Sequence, residues 1–160
     1  MSEKSKPDIL GLLSFGFFLI LVGAIFSTNP NLPGEIHDFL QDLTLQEIYP
    51  GVKFFAPASS HLGLYAAAFN FSLALAIFNV LILALRFAFR EPWGRRASTA
   101  SSIFFWSGAV FSLSWLSNGA IDWFTFLGCI LTFFGGSIVL GGAIRLATLN
   151  RVIPAKAQRI

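Results

Sequence analysis

The sequence predicts an all-α integral membrane protein, a bundle of four helices with both termini in the cytoplasm. Three observations predict it. First, 55% of the 160 residues are hydrophobic and only 12% are charged, with a mean hydropathy of +0.71. A soluble domain carries about 25% charged residues, so this chain lacks the charge to cover a water-exposed surface. Second, four apolar stretches are each long enough to cross a hydrocarbon core of about 30 Å at about 1.5 Å per residue. Third, of 11 Lys and Arg residues, all but Lys53 fall on one side of a four-span layout.

The first span covers about 9–26, apolar except for Ser14. It exceeds a usual signal h-region, and Ala24 is followed by Ile25, Phe26 and Ser27 without a small-x-small cleavage site, so an uncleaved helix is expected. Gly16 and Gly23 lie seven residues apart on one helical line.

Residues 27–61 form the one long connection, punctuated by Pro30, Pro33, Pro50 and Pro57. Within GEIHDFLQDLTL, Ile36, Phe39, Leu40 and Leu43 share one helical face and Glu35, Asp38 and Asp42 another. That pattern predicts a short amphipathic helix, resting on the membrane, the protein's own helices or a partner. The following YPGVKFFAPASSH carries too much apolar surface to be left in water and is expected as an ordered extended cap.

The second span covers about 62–86, with Ser59 or Ser60 as the expected N-cap. Tyr65, Ser72 and Asn79 share a seven-residue line, and Asn70 is its other strongly polar residue. An amide in lipid needs a partner, so these residues are expected to hydrogen-bond to a neighbouring helix. The alternative is a polar track for a transported species. Residues 87–98, broken by Pro92 and Gly94, read as a basic inner loop.

The third span, about 100–116, is rich in serine, and SNGAI after it is a tight turn that makes the last two spans antiparallel neighbours. The fourth span, about 123–145, organises the chain. Gly128, Gly135 and Gly142 form one line; Phe126, Phe133 and Leu140 form another, roughly opposite. The smooth line admits a close helix and the bulky line suits lipid or a groove. The glycine lines of the first and last spans are expected to face each other or a shared neighbour. Asn150, with Pro154 beyond it, is the expected helix end, leaving 147–160 as a basic tail.

Sidedness follows from charge. Lys4 and Lys6, then Arg86, Arg90, Arg95 and Arg96, then Arg145, Arg151, Lys156 and Arg159 share one side, while Glu35, Asp38, Asp42, Glu47 and Asp122 lie with Lys53. The positive-inside rule places both termini in the cytoplasm of a multi-pass cell-membrane protein. The basic residues flank apolar spans, so the net charge of +3 does not indicate a nucleic-acid partner.

Chemistry is sparse. The spans hold no Asp, Glu, Lys or His, which disfavours proton-coupled transport. His37 and His61 lie at the outer side, away from any deep bis-histidine haem position. The single Cys129 cannot form an intrachain disulfide, and HExxH, GxSxG and phosphate-loop motifs are absent. Glu35, His37, Asp38, Asp42, Glu47, His61 and Asp122 are acids and imidazoles that could in principle bind a metal, but their spacing matches no ligand pattern, and a solvated acidic face is expected. Asp122 before Trp123 reads as a helix N-cap. No catalytic residue, metal or cofactor is expected.

From Gly16 to Phe87, the strings GFFLILVGAIF, NPNLPGEIHDFLQDL, YPGVKFFAPASSH and LILALRF resemble a group of uncharacterised four-span membrane proteins found mainly in archaea. The resemblance implies a four-helix membrane fold with a proline-rich outer cap and carries no activity. The expected function is therefore non-enzymatic: a small structural or accessory subunit among membrane lipids, packing against itself or larger membrane partners. The alternative is a small oligomeric channel or carrier lined by Asn70, Asn79 and the third-span serines.

Overall fold

A computed structural model describes residues 9–157, with the side chains of Tyr49 and 149–157 excepted. Lys4, Lys6 and Arg159 lie outside the described residues, as do the side chains of Arg151 and Lys156. The chain is mostly helical: α1 (Ile9–Thr28), α2 (Leu32–Asp42), β1 (Leu43–Tyr49), β2 (Val52–Pro57), α3 (Leu62–Ala88), α4 (Trp93–Ser117) and α5 (Trp123–Ala157). Three helices are long and apolar enough to cross a membrane: α1, α3 and the Trp123–Thr148 part of α5. Helix α4 has the length but not the apolarity, because Arg95, Arg96 and its serines dilute it.

The elements end where local chemistry stops them. Pro30 follows α1, and Thr28 and Asn29 cap its last carbonyls, Thr28 Oγ1 donating to Ala24 O at 2.8 Å and Asn29 N to Ile25 O at 3.1 Å. Pro33 lies in the first turn of α2, where its missing N–H costs nothing. Helix α2 stops at Asp42, so Leu43 opens a strand instead of completing the expected apolar face. Strands β1 and β2 form an antiparallel hairpin turning at Pro50 and Gly51, whose φ of 81° suits glycine. A Pro-Gly pair between two apolar runs is a hairpin signal, so the extended cap has a definite register: Thr44 opposite Ala56, Glu47 opposite Lys53. The all-α expectation is corrected by this hairpin.

The inner loop is also shorter than 87–98. Helix α3 runs to Ala88, Arg90 adopts a left-handed conformation (φ 51°), and Glu91 N donates to Arg86 O at 3.0 Å to close the turn. Pro92 sits at the N-cap of α4 in extended conformation, so the helix starts at Trp93. Proline restricts the residue before it, not the helix after it, and Gly94 in a first turn costs little. At its far end α5 continues through Asn150 and Pro154 to Ala157, so neither residue closes it. Proline removes one hydrogen bond from a helix but leaves the backbone on both sides competent to continue. Ser59 and Ser60 do not cap α3; its N-cap position is His61, with no side-chain cap bond.

The long helices pack as a row: α1 rests chiefly on α3, α3 on α4, and α4 on α5. Contact between α1 and α3 is made by stacked Phe17 and Phe78, with ring centroids 3.8 Å apart, and by Phe18 edge-on to Phe71. Small residues let α4 fit between its neighbours: Ala97, Gly108, Ala109 and Ser112 are buried, Ser112 completely. The ring of Phe133 on α5 lies directly over Gly108, Phe104 lies over Gly136, and Ser101 meets Gly141. The bulky line of α5 thus faces protein at Phe133.

A methyl group at Gly108 overlaps the Phe133 ring, whereas one at Gly128 meets nothing within 4 Å. Gly108→Ala should cost about 1–3 kcal/mol through overpacking, and Gly128→Ala should be neutral in the isolated chain. Thermal unfolding of the two variants in detergent checks the contrast.

Candidate functional site

The residues singled out from the sequence do not converge on one site. Gly16, Gly23, Gly128, Gly135 and Gly142 all face open space within the chain, with nothing within 4 Å of an added Cβ. The two glycine lines do not meet each other or a shared neighbour here; the glycines in close contact with another helix are Gly63, against Glu35 of α2, and Gly108, Gly136 and Gly141. Tyr65 and Ser72 are buried and Asn79 is half-buried, so that seven-residue line turns inward, while Asn70 is exposed. Asn79 Nδ2 donates to Leu75 O of its own helix at 2.8 Å, instead of crossing to a neighbour. Asn70 has no hydrogen-bond partner among the described residues. The four residues form no continuous track.

The acids and histidines singled out as possible metal ligands are also dispersed, except at one point. Asp42 Oδ2 accepts hydrogen bonds from Ser59 N at 2.8 Å, Ser59 Oγ at 2.7 Å and His61 Nε2 at 2.9 Å. A hydroxyl and an amide both stabilise the carboxylate, and the His61 bond adds to them, so the pKa of Asp42 falls from 3.8 to about 2. This cluster ties the end of α2 to the start of α3. His61 also packs edge-on to Phe39, which tilts against Trp123, and Phe54 meets Phe124, so α2 and the hairpin sit on the N-terminal ends of α3 and α5. Because Ser59 bonds to Asp42 instead of to His61, the three do not form a nucleophilic relay. His37 pairs with Gln41, Glu47 Oε1 accepts from Gly51 N at 2.8 Å, and Asp122 Oδ1 caps Thr125 N at 2.6 Å. Among the described residues no three His, Cys, Asp or Glu side chains gather as a metal site.

At the opposite end of the long helices, Arg86 is buried and pairs with Glu91 at 2.9 Å; Arg95 approaches the other Glu91 oxygen at 3.4 Å. Arg96 lies over the faces of Phe87 and Trp93, 4.7 and 5.0 Å from their centroids. These contacts fasten the α3–α4 turn.

A groove of about 480 Å³ lies between α4 and α5. Its α4 wall carries Ser98, Ser101, Ser102, Phe105 and Trp106; its α5 wall carries Phe134, Ser137, Ile138, Gly141, Gly142 and Arg145. The steps of three and four residues along each helix place each set on one face. Ser101, Ser102 and Ser137 donate their hydroxyls to carbonyls of their own helices. Arg145 is exposed and has no carboxylate partner among the described residues. From the sequence, the serines read as packing residues and Arg145 as a flanking charge. The available signal was helical spacing from Phe134 through Ser137, Ile138 and Gly141 to Arg145.

The fold defines a mostly helical chain with three membrane-length apolar helices and a small hairpin. No family model matches the chain, and neither a curated protein nor a solved structure is significantly similar to it.

The Asp42 cluster should make the cap acid-sensitive. Its folded pKa lies below the ordinary value, so its stabilisation is complete above about pH 4 and is lost as pH falls towards 2. Wild-type melting temperature in detergent should drop across that interval, and Asp42→Asn should start lower and lose that pH step.

Proposed function

We propose that this is a four-span membrane protein, N-terminus and C-terminus in the cytoplasm, whose role is assembly with further copies of itself. The supporting observation is that Gly16 and Gly23 on α1 and Gly128 and Gly135 on α5, the helices at the two ends of the row, face open space. Small residues are where membrane helices approach one another most closely. Here they are left uncovered, while the contacts inside the chain use other glycines.

The two glycine lines match in depth. Counted from the outer end of each helix, Gly23 lies five residues before Thr28 and Gly128 five after Trp123. Gly16 and Gly135 each lie twelve residues in. In the proposed topology α1 runs outward and α5 inward, so α1 of one copy can lie antiparallel on α5 of the next with glycine level with glycine. Such a head-to-tail contact closes into a ring or extends as a filament, according to its rotation.

Charge supports the sidedness. Arg86, Arg90, Arg95, Arg96 and Arg145 mark one end of the long helices; Glu35, Asp38, Asp42, Glu47, Lys53 and Asp122 mark the other. Helix α4 then completes the set of four spans, with Thr99 and Ser112 buried among its neighbours. The work assigned is association, since the polar residues that would line a pore are dispersed.

Disulfide trapping tests the contact. In a Cys129→Ser background, Gly23→Cys with Gly128→Cys should give a ladder of crosslinked copies under mild oxidation in the membrane. Leu12→Cys with Gly128→Cys, mismatched in depth, should give little. Gly135→Leu should weaken association by about 1 kcal/mol or more through overpacking. A monomer in native membranes with no ladder overturns the proposal. Cysteine labelling with an impermeant maleimide at Lys53 and Arg90 checks sidedness: only position 53 should react from outside.

A further inference from the structure

The α4–α5 groove has the polarity profile of a phospholipid. Its basic end is formed by Arg145, with Ser98 on the facing helix, and both side chains lack hydrogen-bond partners among the described residues. Next along the groove come Ser101, Ser102 and Ser137, whose hydroxyl donors are used within their own helices but whose oxygens retain acceptor capacity. The far end is aromatic, with Phe105, Trp106 and Phe134. From Arg145 to Phe134 the groove follows α5 for about 16 Å, from the level of headgroups into that of acyl chains. A volume of about 480 Å³ accommodates a headgroup, its glycerol and part of one chain.

We propose that this groove holds one anionic phospholipid of the cytoplasmic leaflet, its phosphate on Arg145 and Ser98 and an acyl chain along Phe105, Trp106 and Phe134. The leaflet rests on the N-in/C-in reading above; the binding chemistry does not, and neither depends on self-assembly. Arg145 supplies a positive charge with planar paired donors, the geometry that suits phosphate oxygens. The apolar end gives an acyl chain a wall that a free phosphate ion cannot use. A groove open to hydrocarbon is filled by lipid in any case, and the arginine at its polar end is what makes the headgroup charge matter.

Native mass spectrometry of the full chain in detergent, with phosphatidylglycerol or phosphatidylcholine added, tests this directly. The wild type should retain one phosphatidylglycerol per chain in preference to phosphatidylcholine. Arg145→Gln should lower that preference about fivefold, the worth of one basic residue near an anionic headgroup. Arg90→Gln removes an exposed charge from the same end of the molecule, outside the groove, and should leave the preference intact. Ile138→Trp fills the groove and should reduce retention of both lipids. Equal retention of the two lipids by the wild type overturns the proposal, as does an unchanged preference in Arg145→Gln or an equal loss in Arg90→Gln. Displacement of the lipid by millimolar inorganic phosphate also overturns it, because it marks a phosphate site without a chain site. If Arg145→Gln fails to fold, Ile138→Trp decides, and undiminished lipid retention overturns it. The same spectra report copy number separately, so loss of lipid and loss of assembly are distinguishable.

Discussion

The row of helices depends on shape more than on polar bonds. Along the long helices, hydroxyls and amides turn back to their own backbones: Ser14 to Leu10, Asn79 to Leu75, Thr99 to Arg95, Ser112 to Gly108, Thr132 to Gly128. A polar side chain satisfied by its own helix can sit in an apolar setting without a neighbour. It contributes little to holding that neighbour, so adhesion falls to rings lodged over small residues. Phe133 over Gly108 is the centre of this pattern, and α4, the least apolar long helix, lies between α3 and α5.

That division of labour explains what could be read from the sequence. Apolar runs bounded by prolines and charges locate α1, α3 and α5 because span length and hydropathy are properties of each segment alone. Pairing between helices is not such a property. Gly135 and Gly136 are adjacent and chemically identical, yet Phe104 covers Gly136 and nothing in the chain covers Gly135. The seven-residue period marked an uncovered face, and the packed glycines follow no such period. Likewise, Leu43 fits the apolar face of α2, but the Pro50-Gly51 turn recruits it into a strand, so a tertiary pairing overrides a local pattern.

The candidate sites were legible in the same uneven way. Asp122 as a cap needs only its neighbours, and Thr125 N does bond to it. Asp42 needs Ser59 and His61, which the hairpin brings back to it from seventeen and nineteen residues away. No pattern local to Asp42 indicates that return. The groove is harder still, because each wall is an unremarkable helix face and only their juxtaposition makes a cavity.

The helices differ in length by an amount a bilayer registers. Helix α1 has 20 residues, about 30 Å, while α3 and the apolar part of α5 have 27 and 26, about 40 Å. A hydrocarbon layer of about 30 Å matches the length of the first, whereas the other two exceed it, a surplus that tilt, a kink or local thickening of the bilayer must absorb. A thicker bilayer therefore suits α3 and α5 better than it suits α1.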